Sequence, residues 1–246
     1  MALNRDAVAW RKTNMKTIGL LGGMSWESST TYYQIINEEI REKLGGLHSA
    51  KCIMASVDFA EIEAYQSEGN WKEAALILSQ SAKDVENGGA DFLILCTNTM
   101  HKLAADIQQA INIPLLHIAD ATAQRIKSQS IKRIGLLGTR FTMEEDFYKG
   151  RLIQKYGLDV ITPEAQDRKI VDDVIYKELC LGKINDASRR AYQDIIQGLI
   201  TSGTEGIILG CTEIGLLVKQ EDSSVPLFDT AQIHAEAAVV FALEED

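Results

Sequence analysis

The chain has 246 residues, 46% of them hydrophobic and 24% charged, which is enough apolar material for one large core or two small ones. Its 25 Lys and Arg against 35 Asp and Glu leave a formal net charge of −10, which argues against a nucleic-acid or anionic-membrane surface. An anionic ligand would therefore need a local cation. Four cysteines (Cys52, Cys96, Cys180, Cys211) have neither metal-ligand spacing nor the density of a disulfide framework, so they read as free thiols in a reducing compartment. With no apolar run of membrane-spanning length and no signal-peptide pattern, the expected location is the cytoplasm.

Taken in order, residues 1–14 are set outside the fold as an extension, and the first strand is expected at Thr17–Leu21. Gly22-Gly23-Met24-Ser25 then leads into a helix from about Ser28 to Leu44, closed by Gly45-Gly46. Ile53–Val57 reads as a strand and Trp71–Asn87 as a long amphipathic helix. Phe92–Leu95 is a buried strand that ends in Cys96-Thr97-Asn98-Thr99-Met100-His101. A helix to about Ala110 leads to a short strand at Ile113–Ile118.

The pattern then restarts. Lys132–Gly138 echoes Lys16–Gly22, Gly203–Leu209 echoes Gly89–Leu95, and Val225–Asp229 echoes Ile113–His117, at offsets of 116, 114 and 112 residues. Three echoes in one order at nearly one offset indicate a duplicated α/β half, not a solenoid. The expected units are 15–119 plus 223–246 and 120–222, with a ligand cleft between them and a last helix, His234–Leu243, packed back on the first.

The stretch Gly206–Leu217 carries the chemistry. Ile207, Ile208 and Leu209 form a strand too short for a helix, Gly210 breaks it, and Cys211, Thr212 and Glu213 lie at the strand's carboxyl end. A thiol there has backbone N–H groups and a helix N-terminus nearby, which favour thiolate; a small buried core residue is the alternative. The repeat sets Thr97 opposite Cys211, with Cys96 one residue too early. Two groups on facing loops can address opposite faces of one carbon, the geometry of stereoinversion.

At these residues the chain resembles the aspartate/glutamate racemases. The resemblance covers nearly everything from Met15 onward and rests on four motifs in order: Gly22-Gly23-Met24-Ser25, Asn98-Thr99-Met100-His101, the Gly138–Met143 loop, and Gly210-Cys211-Thr212-Glu213. It implies two flavodoxin-like α/β halves with parallel sheets, pseudo-twofold related around an active-site cleft. It also implies cofactor-independent chemistry without a metal, an amino-acid substrate and a homodimer. Members usually carry Cys-Asn-Thr where this chain has Thr97-Asn98-Thr99. A thiol can exchange between acid and base near neutral pH, whereas a threonine hydroxyl does not ionise there. The expected reaction is thus racemisation biased toward L-aspartate or L-glutamate, with Cys211 taking the α-proton and Thr97, a water it holds or Cys96 returning one.

Met24, Asn98, Thr99 and Thr212 are the candidates for holding the substrate, the last three alternatively as helix caps. Glu213 is a candidate for the ammonium group or simply an exposed first-turn acid. For the side-chain carboxylate, the family places a basic anchor near Arg168, in an otherwise ordinary charged loop, and His48 is a second candidate. His101 is expected to orient its loop, His117 and His234 to be structural, and Cys52 and Cys180 to pack. The glycines after the first strand do not match a dinucleotide fingerprint. Competing readings are a broad-specificity racemase, a single-thiol decarboxylase or isomerase, and an amino-acid-binding protein with residual activity.

Overall fold

The computed structural model describes residues 14–244. In chain order the elements are β1 (Ile18–Gly22), α1 (Trp26–Leu44), β2 (Cys52–Ser56), α2 (Phe59–Ser67), α3 (Trp71–Asn87), β3 (Phe92–Leu95), α4 (Ala104–Ala110), α5 (Ile118–Ser128) and β4 (Arg133–Gly138). There follow α6 (Arg140–Glu144), α7 (Lys149–Tyr156), β5 (Asp159–Ile161), α8 (Ala165–Lys177), α9 (Asp186–Thr201), β6 (Ile207–Gly210), α10 (Ile214–Leu217), β7 (Leu227–Asp229) and α11 (Thr230–Leu243). Short 3₁₀ turns lie at Thr99–Leu103, Leu179–Leu181 and Gln220–Asp222.

The strands form two parallel sheets, β2-β1-β3 and β5-β4-β6-β7. Parallel strands need covered faces on both sides, and both sheets have them. On the first sheet Ile18 and Leu20 pack toward α1 and α11, whereas Leu21 faces the other way toward α3 and α4. On the second sheet Leu137 faces α8 and α9, while Ile134 and Leu136 face α5 and α7. This alternation is the period of two that a strand imposes.

The duplication extends to individual hydrogen bonds. Leu93 N–H donates to Pro114 O at 2.9 Å, and Ile207 N–H donates to Pro226 O at 2.9 Å. Asp91 N–H donates to Thr17 O at 2.9 Å, and Glu205 N–H to Arg133 O at 2.8 Å. The strand expected at Ile113–Ile118 is reduced to an isolated bridge, Leu93 to Leu115, at the place β7 holds in the other sheet.

Two expectations change, and another is not described. The N-terminal extension, apart from Asn14, lies outside the described residues. The boundary at 223 falls before a strand, β7, that belongs to the second sheet because it pairs with β6. Only the helix after it returns to the first half: Ala235, Ala238, Val239 and Ala242 of α11 pack with Ile18, Tyr32 and Ile36, while its Ile233 joins the core of the second. The last helix also begins earlier, at Thr230, because Asp229 caps it by accepting from Ala231 N at 2.9 Å and Gln232 N at 3.2 Å.

Candidate active site

Strands that run parallel deliver all their carboxyl ends to one edge, and the two sheets turn those edges toward each other. The cleft between them is narrow, a cavity of about 20 Å³, and is lined by Met24, Thr97, Asn98 and Thr99 from the first half and by Thr139, Cys211, Thr212 and Glu213 from the second. Cys211 and Thr97 are each 8% exposed, so the two loops expected to face each other do so within an almost closed cavity.

Local sequence explains how the loops get there. Gly23 adopts φ +93°, and a Cβ on it would stand 2.2 Å from Val57 O, so only glycine lets the turn after β1 press against the end of β2. That turn delivers Met24 and Ser25. In the second half a Cβ on Gly210 would meet Leu137 O at 2.7 Å, and one on Gly138 would meet Gly210 O at 2.8 Å. The two central strands thus converge just before Cys211.

Around Cys211 the hydrogen bonds close into a small network. The Sγ–H donates to Glu213 Oε2 at 2.9 Å, and the Thr212 hydroxyl donates to the same oxygen at 2.7 Å. Oε1 accepts from Ser25 Oγ at 2.7 Å and from Ser28 Oγ at 2.9 Å. The Ser28 and Thr212 oxygens also touch, and since each hydroxyl gives its one hydrogen to Glu213, that contact is an alternative bond and not an additional one. Burial pushes the Cys211 thiol well above its ordinary range, and the charge of Glu213 and the proximity of Cys180 push it the same way. The expectation of a resting thiolate is therefore corrected: α10 is a single turn of four residues, and its end does not offset burial and a carboxylate.

Glu213 is 4% exposed, which excludes the solvated first-turn acid, and its oxygens face the thiol and the hydroxyls. Asn98 donates Nδ2–H to Thr230 Oγ1 at 3.0 Å, while Thr230 donates its own hydrogen to Leu209 O at 2.8 Å. The orientation of the amide is thereby fixed, since a threonine hydroxyl has one hydrogen to give. Asn98 Oδ1 is left buried with no partner among the described residues. Thr99 Oγ1 meets Thr139 Oγ1 across the cleft at 3.0 Å. Neither Asn98 before the turn at Thr99 nor Glu213 before α10 makes a side-chain cap, so capping does not account for Asn98, Thr99 or Thr212.

Two expected anchors lie elsewhere. Arg168 is committed to Glu144 Oε1 at 2.9 Å and to Pro163 O at 2.7 Å, outside the residues that line the cleft. His48 precedes β2 and so sits at the amino ends of the strands, the wrong edge of the sheet. The reading of Cys180 also changes: it lies on the 3₁₀ turn Leu179–Leu181 and lines the cleft with Cys211. Cys96 is wholly buried in the core of the first half with Ile94 and Tyr32, turned away from the cavity. His101 does orient its loop, with Nδ1 on Thr97 O at 2.8 Å and Nε2 accepting from Ile118 N at 3.2 Å.

Sequence reasoning missed Gln66, Tyr176, Phe59 and the hydroxyls of Ser25 and Ser28. Gln66 of α2 donates Nε2–H to Tyr176 Oη of α8 at 2.7 Å, a bond between the halves at the wall of the cleft. No Lys, Arg or His is among the described residues that line the cavity. No group of three or more His, Cys, Asp or Glu among the described residues is arranged to hold a metal ion, and no described helix is long and apolar enough to cross a membrane.

Two α/β halves with parallel sheets around one cleft make up the two-domain fold that solved aspartate and glutamate racemases share with this chain. The profile of the Asp/Glu/Hydantoin racemase family matches residues 21–238, and the chain belongs to that family. It is similar to a crystal structure from Yersinia pestis described as a candidate Asp/Glu racemase, at 56% identity and TM-score 0.88, covering 94% of this chain and all of that one. It is similar as well to an aspartate racemase homologue from Pyrococcus horikoshii OT3, at 35% identity and TM-score 0.81, with 94% and 100% covered. A broad specificity amino-acid racemase of Bacillus subtilis (strain 168) is 21% identical over 230 residues, which are 90% of this chain and 96% of that protein.

Proposed function

We propose that this protein racemises acidic amino acids, L-aspartate or L-glutamate in particular, with Cys211 as the base on one face of Cα and the Thr97 side as the source of the returning proton. The observation that carries the reading is the bond from Cys211 Sγ to Glu213 Oε2 in a cleft closed on its far side by Thr97. The thiol proton passes to Glu213 Oε2, and the thiolate then takes the α-proton. The C–H electron pair moves into the substrate carboxylate and returns to Cα as a water on the Thr97 side delivers a proton to the opposite face. The hydroxide left behind is neutralised, through solvent, by the proton held on Glu213. Asn98 Oδ1, the unpartnered acceptor, suits the substrate ammonium better than Glu213 does. No cofactor enters any of these steps. The names of the relatives at 56% and 35% identity support the substrate class.

A second reading, broad specificity over neutral amino acids, is favoured by one observation, the lack of Lys or Arg among the described lining residues. Each enantiomer of glutamate, aspartate and alanine, incubated in D₂O and followed by NMR through loss of the α-proton signal, separates the two. Exchange of the L-acidic forms ahead of the D-forms, lost in Cys211→Ala and kept in Cys96→Ala, is the expected result. Alanine exchanging as fast as glutamate selects the broad reading. If no amino acid exchanges, the racemase assignment fails.

A further inference from the structure

Glu213 is a buried carboxylate whose hydrogen-bond partners are three hydroxyls and one thiol, with no Lys, Arg or His bonded to it among the described residues. The donors divide by oxygen. Oε2 faces Thr212 and Cys211, the residues of its own turn, whereas Oε1 is held by Ser25 and Ser28, which belong to the first half of the molecule. The other ionisable groups around the thiol are Cys180, Tyr176 of α8 and Tyr192 of α9. None of them holds Oε1.

We infer that Ser25 and Ser28 are positioning residues for proton transfer. They fix Oε1 from across the cleft so that Oε2 stays on the thiol while the Sγ–H bond breaks and the Oε2–H bond forms. The physical reason is geometric. A carboxylate on a single χ3 torsion rotates freely unless both oxygens are held, and hydroxyl donors hold it without the charge that a cation would add beside the thiol. The inference deepens the reading of Cys211 as the α-proton base and rests on it. It also makes the competence of the thiol depend on the first half being in place, since the clamp on Glu213 comes from the turn after β1.

The test is a double-mutant cycle that pairs Ser25→Ala and Ser28→Ala with Glu213→Gln. Two readouts are used: steady-state α-proton exchange, and peptide-resolved alkylation of Cys211 by iodoacetamide across pH without substrate. Each serine variant should lower kcat by about tenfold with KM within about twofold, and should displace the alkylation midpoint of Cys211 by about half a pH unit or more. Both effects should vanish in the Glu213→Gln background, because the clamp then has no proton acceptor to position. Serine effects that persist undiminished beside Glu213→Gln, or an alkylation profile identical to the parent, would overturn the inference. Ser25 also caps α1 through Ser28 N–H at 3.3 Å, so its alanine variant can weaken the fold; Ser28→Ala leaves that cap intact and carries the test alone if necessary. An inactive parent would end the racemase reading, while the alkylation cycle would still decide whether the serines act on the thiol.

Discussion

Glu213 both hinders and enables its neighbour. Its charge adds to burial in raising the thiol of Cys211, yet Oε2 is the acceptor toward which that thiol already points. Glu213→Gln should therefore separate the two effects. With the negative charge gone the Cys211 pKa falls, so its alkylation limb moves to lower pH, while turnover drops about a hundredfold or more for want of a proton acceptor. In the parent without substrate, alkylation of Cys211 should rise with pH only beyond the range of an ordinary thiol, because burial and the Glu213 charge hold the thiol protonated. An alkylation midpoint at or below that of an ordinary thiol would contradict this. A geometric prediction concerns Gly210: with Leu137 O only 2.7 Å from an added Cβ, Gly210→Ala must part β4 from β6, displacing Cys211. A loss of about 1–3 kcal/mol in denaturant unfolding, together with a loss of exchange, is expected.

Between elements, side chains bridge the two halves. Gln66 of α2 reaches Tyr176 of α8, and Trp71 at the start of α3 meets the Phe141 ring of α6 edge-on at 5.2 Å. Lys102 lies 4.0 Å above the indole and pairs with Glu145 at 2.5 Å. Tyr176→Phe removes one hydrogen bond between the halves. It should raise KM for an amino acid by about three- to tenfold with little change in thermal midpoint, as expected for a net contribution of about 1 kcal/mol. A thermal midpoint lowered with KM unchanged would assign the bond to stability instead. Such bridges also show what a sequence does and does not disclose. The central strands β1, β4 and β6 were legible because each is an apolar run closed by glycine. By contrast β5, three residues long with a charged start, was not read at all. Thr97 was matched to Cys211 by counting alone. Trp71–Asn87 likewise reads directly from its amphipathic spacing. Arg168 and His48 misled because charge can be counted in a sequence while its partner and the edge of the sheet cannot. Gln66, Tyr176 and Ser28 carried no signal, since their roles arise only where two distant segments meet.

For the whole molecule, the three histidines other than His48 form one buried cluster at the junction of the halves. The His101 ring centroid lies 4.6 Å from that of His117 and 5.8 Å from that of His234. Burial lowers His117 to about 3 and His234 to about 4, and it carries His101 well below its usual value, helped by the other two rings. In each case the folded chain favours neutral imidazole, whereas the unfolded chain takes up a proton near pH 6.5. The stabilisation is thus fully present above about pH 7 and is lost as pH falls from about 6.5 toward 4, at about 1.4 kcal/mol per pH unit for each histidine. Urea midpoints should be flat between pH 7 and 8 and should fall steeply below pH 6. In His234→Asn the slope should be shallower by about one proton. A midpoint that does not change down to pH 5 would contradict the assignment.

The path of α11 has a consequence for how the protein comes into being. The first sheet is complete by Leu95, but the helix that seals one of its faces, through Ala235, Ala238, Val239 and Ala242, is not made until Thr230–Leu243. A nascent chain therefore carries an open apolar surface around Ile18, Leu20 and Tyr32 until α11 has left the ribosome. Ribosome-bound chains arrested before Thr230 should remain protease-sensitive in the first half however long they wait. Release of α11 should protect them in a single step.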